Sequence, residues 1–118
     1  MTTNQTPHGK IEISPTAIAT LASHAVLQTY GVVGMASPNL ASDIAASLTR
    51  DPNRGIQVRQ EDGQIIIDVY VIIEHGTRIA SVANSLINGV RYALDQSIGV
   101  QVSQVNVHVQ GLRVSRSE

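Results

Sequence analysis

The run Gln64–Ile73, QIIIDVYVII, decides the fold. Ile65, Ile67, Val69, Val71 and Ile73 fall on one side of an extended chain, and a strand with so regular an apolar side requires a core beneath it. The opposite side carries Ile66, Asp68, Tyr70 and Ile72, half apolar and half polar. A Glu61-Asp62-Gly63 turn precedes the run, and Asp-Gly supplies the positive φ values that a tight hairpin needs. Ile56–Arg59, with Ile56 and Val58 inward, is therefore expected as its antiparallel neighbour.

Working outward, Gly9–Ile13 alternates as a short strand with Ile11 and Ile13 facing one way, and Met1–His8 is expected to be a disordered polar tail. Ser14-Pro15 supplies an N-cap followed by a first helical residue that needs no donor. The helix behind it places Ile18, Leu21, Ala22, Ala25 and Val26 on one face and is expected to end at Tyr30, with Gly31 left-handed. GVVGM, residues 31–35, is a short extended piece, and 37–53 is expected to hold a short extra helix. A second long helix opens at Gly76 or Thr77, buries Ile79, Val82, Ala83, Leu86, Val90, Ala93 and Leu94, and stops at Gly99. The last strand turns Val105, Val107 and Val109 inward and Asn106, His108 and Gln110 outward. Val100 and Val102 have the opposite parity, which calls for a bulge near Ser103-Gln104. Leu112–Glu118 is expected to fray.

Amphipathic helices and half-apolar strands together predict an α+β two-layer sandwich, with two main helices on one face of a largely antiparallel sheet. The element order is β-α-β-β-α-β with a short extra helix, in one domain over residues 9–112 between tails at 1–8 and 113–118. The other sheet face would then meet water or a partner. Arg59, Ile66, Asp68, Tyr70, Ile72 and His108 are the candidate partner-face residues, an apolar patch with polar neighbours.

Composition narrows the function. Eight Lys plus Arg against nine Asp plus Glu leave a net charge of −1, so no long-range field draws in nucleic acid or anionic lipid. Cysteine is absent, which removes disulfides, thiolate nucleophiles and Cys-based zinc sites. The N-terminus lacks the apolar core of a signal peptide, and no apolar run approaches the length of a membrane span. A soluble, cytoplasmic protein is expected. Phe and Trp are missing, so the core must be aliphatic.

His8, His24, His75 and His108 show no metal-ligand spacing, and Glu74-His75 has no Ser or Cys placed beside it to activate. No catalytic residue, cofactor or metal is assigned, and the chain is expected not to be an enzyme. Gly31-Val32-Val33-Gly34 invites comparison with the GXXG loop of KH domains. It has valines where a positive charge belongs, so a KH-like nucleic-acid-binding domain is the alternative and not the leading reading. Gly89 in the second helix costs about 1 kcal/mol relative to Ala, which calls for a close approach to the sheet or to another helix, or for a helix–helix contact between subunits.

The pieces GKIEIS (9–14), GVVGM, the Asp-Gly hairpin and VNVHVQG (105–111) occur in an order that resembles the bacterial alkaline-shock protein family, over nearly all of residues 9–112. The resemblance implies a non-enzymatic protein of general and cell-envelope stress that self-associates. It also implies gathering at the inner face of the cell membrane through an integral membrane partner, without direct insertion. The segment 37–54 departs from that family in lacking its clustered basic residues and glycines.

Overall fold

A computed structural model describes residues 2–38, 55–99 and 101–114. The expected short helix at 37–53 falls almost wholly outside them, as does Val100. The elements are β1 (Thr2–Thr6), β2 (Gly9–Ile13), α1 (Pro15–Leu27), β3 (Val32–Met35), β4 (Ile56–Glu61), β5 (Gln64–Glu74), α2 (Ile79–Ile98) and β6 (Gln104–Arg113).

β5 is the centre of the sheet. β4 pairs antiparallel with its first half, from Glu61 opposite Gln64 to Ile56 opposite Val69. β3 pairs antiparallel with its second half, Val32 opposite Ile73 and Met35 opposite Val71. β6 runs parallel to β5 from Gln104 opposite Ile66 to Arg113 opposite Glu74. Since β6 spans both halves, β3 and β4 must lie end to end along the other edge. The parallel pairing follows from connectivity: β5 and β6 are joined through α2, and such a crossover returns the chain in the same direction. The α+β sandwich is as expected, with the two described helices on one face of a sheet in which two of the three described pairings are antiparallel.

Its core is the one that the alternation demanded. Ile65, Ile67, Val69, Val71 and Ile73 are buried beneath Ile18, Ala22 and Val26 of α1 and Val82, Leu86, Val90 and Leu94 of α2. Asp62 and Gly63 both take positive φ, 51° and 75°, at the hairpin. The Ser14 hydroxyl accepts from the Ala17 amide, capping α1, and Gly99 closes α2 in left-handed conformation.

Several expectations are corrected. Thr2–Thr6 is a strand rather than a disordered tail. Its β-branched threonines suit extended backbone, and it pairs along β2 across a turn at Pro7-His8. Ile11 is 53% exposed on this ribbon. α1 ends at Leu27 rather than Tyr30: the Gln28 and Thr29 amides donate to the Ala25 and Val26 carbonyls three residues back, tightening the last turn, and the Glu74 amide then donates to the Gly31 carbonyl where β3 enters the sheet. Gly31 keeps the anticipated positive φ. α2 starts later than expected, at Ile79 with Arg78 as an N-cap that makes no side-chain bond, and Ile79 itself is exposed. The β6 bulge lies at Gln110, between Val109 opposite Val71 and Gly111 opposite Ile72, not near Ser103. Leu112 and Arg113 are strand, not fraying tail, and the His75 amide donates to the Arg113 carbonyl.

Gly89 has no close neighbour: a methyl group there would meet nothing within 4 Å. The close approach within the chain is therefore absent among the described residues. Gly89→Ala should raise the unfolding free energy by about 1 kcal/mol, the full difference in helix propensity, as urea denaturation would measure.

Candidate functional site

The sheet face opposite the helices is built from the even-numbered residues of β5 and their cross-strand neighbours. Asp68 is only 6% exposed at its centre, with Gln57 of β4 and Asn106 of β6 directly opposite. A buried carboxylate requires donors on each oxygen. Arg59 Nε donates to Oδ2 at 2.9 Å, while Asn106 Nδ2 and His108 Nε2 meet Oδ1 at 3.2 and 3.1 Å. An ionised carboxylate only accepts, so the His108 Nε2 in this pair must carry the proton. Arg59 continues to Glu61, Nη1 to Oε1 at 2.8 Å.

Burial on its own would push the Asp68 carboxyl upward. Hydrogen bonds from His108, Arg59 and Asn106, and the charge of Arg59, outweigh it and hold the carboxyl below its ordinary range. The same contacts raise Arg59, chiefly through the hydrogen bond to Asp68. Tyr70 stacks on the His108 ring, centroids 4.5 Å apart and planes 12° from parallel. Tyr70 and His108 are direct cross-strand partners, so two strands and Asp68 together fix the orientation of that aromatic pair.

Of the six candidates, four converge: Arg59, Asp68, Tyr70 and His108. The other two do not form the open apolar patch that was expected. Ile72 is 0% exposed. Its neighbours across the strands are Gly34 and Gly111, which leave room for another segment to lie over it. Gln110 Nε2 reaches from β6 to the carbonyls of Ser37 and Pro38, both at 3.2 Å, pinning the chain after β3 across β5. Ile66 is 9% exposed between Arg59 and Gln104, its direct partners. The face is thus more polar and more ordered than an apolar patch. Asn106 and Gln57 belong to it and were not singled out from the sequence, although Asn106 shares the strand parity of His108.

The GXXG-like residues do not form a loop between helices. Val32–Met35 is a strand, and Gly34 sits opposite Ile72 inside the sheet. Among the described residues no group of three or more His, Asp or Glu is placed to hold a metal ion. No described helix is long and apolar enough to cross a membrane.

Comparison with known proteins gives the lineage. The profile of the alkaline-shock protein 23 family, described as having a cell envelope-related function, matches residues 3–114. The chain is 45% identical to the uncharacterized protein YloU of Bacillus subtilis (strain 168) over 113 residues, 94% of each. It is 35% identical to the uncharacterized protein Spy1614 of Streptococcus pyogenes serotype M6, over 92% of each. A solved zinc form of the MamM C-terminal domain shares 13% identity over 85% of each chain at a TM-score of 0.47, too slight a likeness to bear on function. With a family profile spanning almost its full length and a relative at 45% identity, the chain belongs to the alkaline-shock protein 23 family, whose function is cell envelope-related.

Proposed function

We propose that this protein is a non-enzymatic interaction module of the cell envelope, self-associating and held at the inner membrane surface by an integral membrane protein. The outer sheet face is the surface offered to that protein. The observation that carries the reading is the stacked Tyr70–His108 pair held above ionised Asp68. An aromatic surface fixed before binding loses little entropy on contact, and tyrosine and arginine set among polar neighbours are the residue types that dominate protein interfaces. Arg59, bonded to the other oxygen of Asp68, adds charge-assisted bonds for a partner carboxylate or backbone carbonyl. Family membership supports the envelope setting.

Tyr70→Glu tests it. Tyr70 is partly buried, so the fold should lose the stacking contribution of about 0.5–1.5 kcal/mol, together with the hydroxyl contact to Gln57 and some stability to repulsion from Asp68 on the same strand face. Crosslinking and affinity capture with membranes retained should then recover the membrane protein with the unaltered chain and not with the variant. Undiminished capture by a folded Tyr70→Glu protein would refute the reading.

A further inference from the structure

β6 is the edge of the sheet on the side away from β3 and β4, and among the described residues it pairs with β5 alone. An edge strand exposes a row of unpaired N–H and C=O groups, and proteins that keep one solitary commonly place lysine, proline or a charge along it. Gln104–Arg113, QVNVHVQGLR, contains no lysine and no proline. Its one charge, Arg113, stands at the last position and is paired with Glu74. The bulge interrupts the edge only after Val109. Val107 and Val109 pack against the core on the helix side yet stay half-exposed, so the apolar row is incomplete at this edge.

We propose that this edge is the seam by which a second copy of the chain extends the sheet, β6 against β6, antiparallel about Val107. It rests on the self-association proposed above but not on the outer face being the partner surface. The sequence around Val107 is self-complementary in that register. Directly opposed residues of an antiparallel pair share a face, so Val105 meets Val109 and Val107 meets its own copy on the helix side. Asn106 meets His108 on the outer side, a donor and acceptor pair. No like charges are opposed, because residues 105–109 carry no carboxylate, lysine or arginine, and the net charge of the chain is −1. The two valine rows close the apolar gap that each copy leaves alone. A second consequence concerns the outer face: two Tyr70–His108 pairs come to lie on one continuous sheet surface, which strengthens binding to a clustered partner by avidity.

The absence of cysteine makes the test clean. Val107→Cys places a thiol opposite its own copy, where Cα separations of paired strands, about 4.5–5.5 Å, lie within disulfide range. Mild oxidation should convert most of that variant to a covalent dimer, while Thr16→Cys, exposed at the start of α1, should stay monomeric on denaturing gels. In the unaltered chain, amide exchange within residues 105–109 should slow as concentration rises through the dimerisation range. Sedimentation separates the failures. A strict monomer at high concentration overturns both the seam and the self-association. A dimer with neither the Val107→Cys crosslink nor slowed exchange overturns the seam only.

Discussion

Asp68→Ala should lower the unfolding free energy by about 2–3 kcal/mol at neutral pH, the upper part of the range for hydrogen bonds to a charged group. Three donors from two neighbouring strands converge on this carboxylate. Without it, Asn106 and His108 lose their acceptor on a half-buried surface, whereas Arg59 turns to Glu61 and water. For that reason the cost stays short of the 3–5 kcal/mol seen when one member of a fully buried ion pair is removed. The same site should give acid sensitivity of defined sign. The Asp68 carboxyl is lowered from the usual 3.8 in the folded state, so the unfolded chain takes up its proton first. Its contribution is complete above the unfolded value and is lost as pH falls through the folded one. The stability difference between the unaltered protein and Asp68→Asn should be constant above about pH 5 and shrink below it. Denaturant titrations at a series of pH values measure it; a difference independent of pH down to acid unfolding would show that Asp68 is not held ionised by these donors.

Gly31→Ala should have a comparable or larger effect, about 2–4 kcal/mol, from two independent causes. Gly31 has φ of 95°, a region that costs an L-residue about 1–2 kcal/mol. A Cβ there would also sit 2.7 Å from Val82 Cγ2. Val82 is buried and β-branched in the middle of the core, so it has no free rotamer to retreat into, and overpacking of this kind costs about 1–3 kcal/mol. The junction between α1 and β3 would shift, and with it the bond from the Glu74 amide to the Gly31 carbonyl. Circular dichroism melts of this variant beside Gly89→Ala, whose sign is opposite, check both effects within one chain.

These cases also separate what was legible in the sequence from what was not. The strand at Gln64–Ile73, the Asp62-Gly63 hairpin, the Ser14 cap and the Val82, Leu86, Val90 and Leu94 stripe of α2 are set by local periodicity and turn chemistry, and each is where the residues placed it. The clustering of Arg59, Asp68, Tyr70 and His108 followed from strand parity once the pairing partners were right. The burial of Ile72 was not readable, because it depends on two glycines from different strands and on Gln110 reaching residues more than seventy positions away. The N-terminal ribbon escaped because a polar, threonine-rich strand has no apolar alternation to announce it. Gly89 marks a further limit: helix position showed its cost, but only the three-dimensional neighbours show that nothing within the chain offsets it.

The proposed role of the outer sheet face, organised by Asp68 and headed by Tyr70 and His108, is to bind the envelope partner. A photo-crosslinking residue at Gln57, exposed on that face, tests it in intact cells against the same residue at Ser81, exposed on α2. A covalent adduct with an integral membrane protein is expected from position 57 and none from position 81. An adduct from the helix side alone, or capture at 57 of nothing from the membrane fraction, would contradict it.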